Sequence, residues 1–413
     1  MNLLAVAANI EQELAELQKF TATPGAGVTR LPYTKEAKDA CAYLSQLMTG
    51  AGLHVRVDNS GAVIGRLEGL VPETIMIGSH YDSVKHGGAY DGIAGVVCAI
   101  EAARALQRQQ AQPYYSLEVI ATNDEEGARF HAGLFTGKVL AGQLSVADIK
   151  ALVDADGVSV YQAMADFGLQ PEEIAGHRRT DISAFLEIHI EQGPVLEAAG
   201  KQLGIVDVIV GIKRALVTVY GQADHAGTMP MHMRKDALEL AAKAISKIGD
   251  RARRYPGSVA TVGFLQVEPN VMNIIPQQVA FTVDIRGVDA IAIQEQYEML
   301  TADVQRLADV MQMKVTVEEL LTEQPIFMDG GIKKQLEASC LRRGFSYMYL
   351  PSGAGHDAQI FGGRMPAAML FVPSEGGRSH CPEERSSAQD LAAATQVLYD
   401  TLLALNEKRA FSE

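Results

Sequence analysis

Apolar positions along the chain change spacing from segment to segment, and the spacing predicts the elements. Ile10, Leu14 and Leu17 recur at helical intervals, so the chain opens on an amphipathic helix. A second helix over 35–49 buries Ala40, Leu44 and Leu47 and ends at Gly50. LHVRVDNSGAVIGRLEG then alternates around Asn-Ser-Gly, as a hairpin does. Short β-rich apolar runs follow at TIMIGSH (74–80), SLEVIATNDEEG (116–127), SAFLEIHIEQG (183–193) and AAMLFVPS (367–374), with helical stretches such as 93–108 between them. Runs of this kind predict buried strands of a largely parallel or mixed sheet.

Residues 212–323 follow another pattern. RALVTVYGQ alternates as a strand, DALELAAKAISKIGDRARR is helical, SVATVGFLQV and VAFTVDIRG are strands, AIAIQEQYEMLTADVQRLADVMQ is helical, and KVTVEEL closes as a strand. That order is β-α-β-β-α-β, the ferredoxin-like arrangement. A helix over 332–342 and the fourth apolar run then resume the first style. The expected organisation is therefore α/β with two domains: a discontinuous domain over 1–211 and 324–413, and an insert over 212–323.

Composition narrows the partners. The 413 residues are 47% hydrophobic and 21% charged, with a net charge of −14, which fits a soluble protein with ample core. That charge disfavours nucleic acid and anionic membrane surfaces. No apolar run approaches the ~20 residues of a spanning helix, and the N-terminus lacks the basic start of a secretory signal. Cys41, Cys98, Cys340 and Cys381 lie far apart with no CxxC pair. Neither a disulfide framework nor thiolate zinc binding is expected, and a reducing cytoplasm is.

The candidate chemistry gathers where the strands end. His80 follows TIMIGS, Asp124, Glu125 and Glu126 follow SLEVIATN, His189 lies near the end of SAFLEIHI, and His380 comes shortly after AAMLFVPS. Ligands of open α/β sheets bind outside the carboxyl ends of strands. Asp91 is eleven residues beyond His80, across Gly87-Gly88, a turn that can return it to the same edge. Any one of these residues alone is better explained by a satisfied strand end or a solvated turn. Together, three imidazoles and several carboxylates without a thiolate suit Zn, Mn, Co or Ni. Five ligands exceed one open zinc site and fit two ions sharing a carboxylate. The assignment is Asp91 as bridge, His80 and His189 on one ion, and Glu126 and His380 on the other. Asp82, two residues from His80, is placed to hold the other ring nitrogen. Adjacent Glu125 and Glu126 point apart in an extended segment. One ligates, and the other is free to act as general base. His86 and His131 are read as incidental.

The motifs GSHYDSV, YDGIAG, NDEEGARF, LEIHIEQGPVLE, DHAGTMPM, PNVMNIIP, FTVDIR, SGAGHDAQ and GRSHCPEE resemble, in order and spacing, the aminoacylase/carboxypeptidase-type dinuclear metallohydrolases. More narrowly they are similar to the ureidohydrolase branch of N-carbamoyl-L-amino-acid hydrolases, allantoate amidohydrolases and β-ureidopropionases. The resemblance covers nearly the whole chain. It implies a dinuclear catalytic domain with a lid that also dimerises, hence a homodimer. It implies His80, Asp91, Glu126, His189 and His380 as metal ligands and Glu125 as general base. It places His225 over the scissile carbonyl, often from the partner subunit, and assigns Asn273 and Arg286 to the substrate carboxylate. Gln192 and His356 become further substrate positions. An Arg fork suits a carboxylate on chemical grounds as well. Cys381 departs from the polar residue common after the ligand His, and the lid start at Lys213-Arg214 falls in a region that varies among substrates.

The function expected is hydrolysis of the ureido C–N bond of a small carboxylate, with lid closure bringing His225, Asn273 and Arg286 onto it. A dipeptidase or N-acyl-amino-acid hydrolase is the alternative enzyme, against which HIEQG and SGAGHDAQ argue. A non-catalytic scaffold on the same fold is the alternative class, and it should have lost ligands or the base.

Overall fold

The computed structural model describes residues 1–109 and 112–408; positions 110–111 and 409–413, inside the range expected for the first domain, lie outside the described residues. Strands are numbered β1 (His54–Val57), β2 (Val63–Leu67), β3 (Val71–His80), β4 (Tyr115–Thr122), β5 (Ile182–Ile190), β6 (Leu203–Ile209), β7 (Gly211–Tyr220), β8 (Val259–Thr261), β9 (Leu265–Glu268), β10 (Gln278–Gly287), β11 (Lys314–Glu323), β12 (Ile326–Phe327), β13 (Tyr347–Ser352) and β14 (Ala367–Val372). The chain divides into two compact units. One holds Met1–Asp207, Phe327–Leu350 and the chain from Gly355 onward. The other holds Val208–Ile326 with Pro351–Ala354. The second unit thus starts a few residues before the expected insert, ends a few after it, and takes in a piece of β13 that sequence patterning assigned to the first.

The first unit is built on a nine-stranded mixed sheet ordered β1-β2-β4-β3-β5-β14-β6-β12, with β13 on β6. Its centre, β4-β3-β5-β14, is parallel. These four strands are the four apolar runs, and almost every residue in them is buried. Side chains still alternate. On β5, Leu186, Ile188 and Ile190 join a core with Val96 and Val97 of the helix Ile93–Gln107 and Leu398 of the helix Ala388–Lys408. Phe185, of the opposite parity, stacks on Phe361 at 4.4 Å. The first helix, Leu3–Leu17, is capped by the Asn2 side chain accepting from the Ala5 amide, and buries Ile10, Leu14 and Leu17 as the spacing predicts. The hairpin around residues 58–62 pairs β1 with β2.

The second unit carries a five-stranded antiparallel sheet ordered β11-β7-β10-β8, with β9 beside β8 on β10. Along β10, buried and half-buried residues alternate without exception, so one face meets helices and the other is partly open. Phe281, Val283, Val217 and Val219 pack there with Leu240, Leu300 and Val304. The chain order is the expected ferredoxin-like one, with two local breaks. The run SVATVGFLQV splits into β8 and β9, because residues 262–264 face only Thr282 and Val283 across β10, one residue too many for a regular ladder. The first helix splits into Ala237–Ile245 and Ile248–Ala252, where the Ser246 hydroxyl bonds back to the Lys243 carbonyl at 3.1 Å. No described helix is long and apolar enough to cross a membrane.

Candidate metal centre

Parallel pairing brings the strand ends to one edge. His80 closes β3 opposite Thr122 at the end of β4, and His189 on β5 lies opposite Phe371 on β14. The chain then turns sharply. Asp124, Gln192 and His380 all adopt positive φ near 60° without being glycine, a conformation that persists only where surroundings fix it. After β4 they do so through backbone bonds: the Leu134 amide donates to Glu125 O (2.8 Å) and the Phe135 amide to Asp124 O (3.0 Å).

His80 Nδ1 faces the Asp82 carbonyl at 3.1 Å, and His189 Nδ1 faces the Ile190 carbonyl at 2.9 Å. A carbonyl only accepts, so each Nδ1 carries a proton, and a neutral ring presents a bare lone pair at Nε2. Those Nε2 atoms lie 3.3 Å apart. Asp91 Oδ1 sits 3.1 Å from His189 Nε2 and 3.5 Å from His80 Nε2, buried and without a hydrogen bond. With both rings neutral, three acceptors converge with no donor, an arrangement that suits a cation. The other Asp91 oxygen, Oδ2, lies 3.0 Å from His380 Nε2, which is 3.4 Å from Glu126 Oε1, a second buried oxygen without a hydrogen bond. Two groups able to hold an ion therefore share Asp91: His80–Asp91–His189 and Asp91–Glu126–His380. Glu126 faces His380, while Glu125 Oε2 lies 3.8 Å from His80 Nε2.

Electrostatics favour cations here. Burial alone would raise the Asp91 carboxyl, but His189, His380 and His80 hold it well below the usual carboxylate range. Asp91 in turn lifts His380 to about 9 against its partial burial. Burial, then the Asp91 charge, pushes Glu126 up to about 7. Burial raises Glu125 well above an ordinary glutamate, against the pull of His80. Atoms that hold protons through such attraction hold metal by the same attraction, so the two compete.

Asp82 differs from its expected role. Its backbone carbonyl, not its carboxylate, meets His80 Nδ1; the nearest carboxylate oxygen is 3.7 Å away. The carboxylate instead accepts the Glu125 and Glu126 amides at 3.1 and 3.2 Å. A fully buried Asp therefore spans the β3 and β4 ends, fixing both glutamates. Gln192 donates to Asp91 Oδ2 at 2.8 Å, with its Nε2 3.2 Å from His380 Nε2. His356 is buried with its ring 4.4 Å from that of His189; burial and then His189 push its pKa well below the histidine norm. His86 bonds the Ala26 carbonyl, away from the cluster.

Sequence reading missed three supporting acids. Glu187 lies two residues before His189 on the same strand face and forms, with His189 and His356, a third group of possible ligands. Its oxygens accept from Ser79 Oγ (2.7 Å) and the Ala358 amide (3.1 Å), so it braces β5 against β3 and the segment around Ala358. Asp357 accepts from Thr122, with its carboxyl raised to about 7 by burial and then by Glu187. Glu384 holds the Asp91 and His380 loops. Parity along β5 was the available signal for Glu187; for the other two only folding brings the partners together.

Glycine is required beside His80. Gly92 has φ +64°, and a Cβ there would lie 2.3 Å from His80 Nε2. The turn thus relies on Gly92 and on His86 (φ 54°), not on Gly87 and Gly88, whose φ values are not positive. Gly92→Ala should displace the His80 ring and cost at least about tenfold in affinity at the His80–Asp91–His189 group, measured by metal titration of the chelated protein.

The remaining expected residues lie in the second unit. His225 bridges to Ile274, and the Ala226 amide donates to Asn273 O at 2.9 Å, so these two loops are neighbours. Arg286 lies at the other end of β10, with Nε on Asp284 Oδ1 (2.8 Å) and Nη1 on Gly353 O (2.8 Å). His225 and Asn273 adjoin the Tyr220–Gln278 end of the sheet, whereas Arg286 pairs with Ile212. Eight residues of strand separate those ends, roughly 25 Å at ~3.3 Å per residue. Within one copy Arg286 is not brought together with His225 and Asn273, so closure of a single copy cannot set all three on one small substrate.

Residues 76–404 match peptidase family M20/M25/M40. The N-carbamoyl-L-amino-acid amidohydrolase of Paenarthrobacter aurescens is 40% identical over 97% of this chain and 98% of its own. The allantoate amidohydrolase of Bacillus subtilis (strain 168) is 39% identical, with the same coverage of both chains. The crystal structure of an amidase of the hydantoinase/carbamoylase family from Burkholderia multivorans superposes with a TM-score of 0.89 at 32% identity, over 97% of this chain and 98% of that one. With ligand groups on the strand ends that this match spans, the chain belongs to peptidase family M20/M25/M40.

Proposed function

We propose that the protein is a dinuclear metal-dependent amidohydrolase that cleaves the ureido C–N bond of small N-carbamoyl carboxylates, with an N-carbamoyl-L-amino acid or allantoate as substrate. The observation that carries this reading is the pair of ligand groups sharing Asp91 with Glu125 alongside. Asp82, Asp91, Glu125 and Glu126 are buried or nearly buried carboxylates, and bound divalent ions would offset their negative charge. Bound there, Zn, Mn, Co or Ni would polarise the carbonyl and lower the pKa of the attacking water. Glu125 takes a proton from that water as its oxygen bonds to the ureido carbon, and returns it to the leaving nitrogen as the C–N bond breaks. The products are the amine and a carbamate, which decays to ammonia and carbon dioxide. His225 is assigned to the developing oxyanion, Asn273 and Arg286 to the carboxylate, and Gln192 and His356 to the substrate's remaining polar atoms. Both carbamoyl-acid and allantoate relatives stand at nearly equal identity, so substrate choice falls to assay. Ammonia release from allantoate, N-carbamoyl-L-amino acids or β-ureidopropionate, with no cleavage of dipeptides, is the expected result over each added metal. Cleavage of dipeptides alone would contradict it.

The separation of Arg286 from His225 supports a homodimer in which one copy completes the other's site. Met231, Met233, Val271 and the fully exposed Met272 flank the His225 and Asn273 loops, an apolar surface that fits burial by a second copy. His225→Ala and Arg286→Ala should each abolish most activity. In an equal mixture of the two variants after subunit exchange, about one quarter of sites should be intact, by the combinatorics of a symmetric dimer. No recovery, once exchange itself has been verified, would contradict a site shared between copies.

A further inference from the structure

We infer that Glu384 is a positioning residue that couples the shared carboxylate to the second ion, so that losing it empties the Asp91–Glu126–His380 group and spares the His80–Asp91–His189 group; this rests on the two-ion reading above. Glu384 is 4% exposed, and its two oxygens face different segments. Oε1 accepts the Tyr90 and Asp91 amides at 3.0 and 2.9 Å. Oε2 accepts the Ser379 hydroxyl at 2.8 Å and the His380 amide at 3.1 Å. Ser379 Oγ also lies 3.0 Å from Asp91 Oδ2. A single carboxylate therefore fixes the backbone of both ligands across 293 and 4 residues of chain.

The fold keeps space for this side chain. A Cβ on Gly88 would lie 2.1 Å from Glu384 Oε1 and 2.3 Å from its Cβ. Gly88 is thus explained by Glu384 packing over it rather than by backbone conformation. His80 and His189 are oriented from elsewhere, by the Asp82 and Ile190 carbonyls, which is why their group should persist. In Glu384→Gln the amide oxygen can still serve Tyr90 and Asp91. The NH2 group then faces the His380 amide, donor against donor, and only the His380 side is released.

Cobalt(II) alone, titrated into the chelated full-length protein with competition and absorption readouts, tests this. Glu384→Gln should weaken the second ion about 10–100-fold, the range for groups that orient ligands, and leave the first within about twofold. Excess cobalt should restore activity, which a merely structural defect would not allow. Gly88→Ala, whose Cβ meets Oε1 on the Asp91 side, should by contrast loosen Asp91 and weaken both ions. Two ions binding Glu384→Gln as tightly as wild type, or both ions weakened equally in that variant without rescue, would overturn the inference. A wild type that takes up one ion only would instead remove the two-ion reading, and the inference with it.

Discussion

Glu125→Gln should lower kcat by about 10²–10⁴-fold, the usual contribution of a general base, while both ions stay bound. The amide matches the acid in shape and cannot take a proton. Its backbone amide still donates to Asp82, so the turn carrying Glu126 keeps its place. KM should change little, because no substrate contact is assigned to this side chain. Steady-state rates and metal content measured on the same preparation decide it. Near wild-type turnover with ions bound would remove Glu125 from the chemistry. Loss of metal along with turnover would make it a ligand.

The second large effect is expected at Asp91. Asp91→Asn keeps the shape but presents an NH2 toward bare imidazole nitrogens or toward His380, and either orientation competes with a cation. Both ions should be lost, since both groups use this carboxylate. Several kcal/mol of transition-state stabilisation per ion, at 1.36 kcal/mol per decade, corresponds to a fall of about 10⁴-fold or more in kcat/KM. Stability gives an independent readout. With free metal at 100–1,000 times Kd, bound ions add about 3–4 kcal/mol each to apparent stability. Chelation should therefore lower the Tm of the wild type markedly and leave that of Asp91→Asn unmoved. An equal chelator response in both would mean that ions bind without Asp91.

Much of this was legible in the sequence, for identifiable reasons. Parallel strands buried on both faces read as unbroken apolar runs, so TIMIGSH, SLEVIAT, SAFLEIHI and AAMLFV located the strand ends and with them His80, Glu125, Glu126, His189 and His380. Alternation along VAFTVDIRG and the order of elements marked the second unit. What was not legible depends on contacts between distant segments. Asp82 was placed beside His80 from a spacing of two, yet its carboxylate serves amides 43 and 44 residues on. Glu384 stood in a quoted motif without a role, because its partners at 90 and 91 are nearly 300 residues away. The roll of side chains expected around one substrate gave no sign that Arg286 and His225 sit at opposite ends of one sheet. Register supplied that. The short β12 and β13, and β6 beside β14, carry too little periodicity to be read locally.

Two ions gathered by these five residues are proposed to drive ureido hydrolysis. The most direct test is ammonia release from an N-carbamoyl-L-amino acid and from allantoate as cobalt(II) is titrated into chelated enzyme. Release should be negligible without metal and should rise on at least one substrate, saturating at two ions per chain. Full release by the chelated enzyme, or none from either substrate with both ions bound, would contradict that role of the ions.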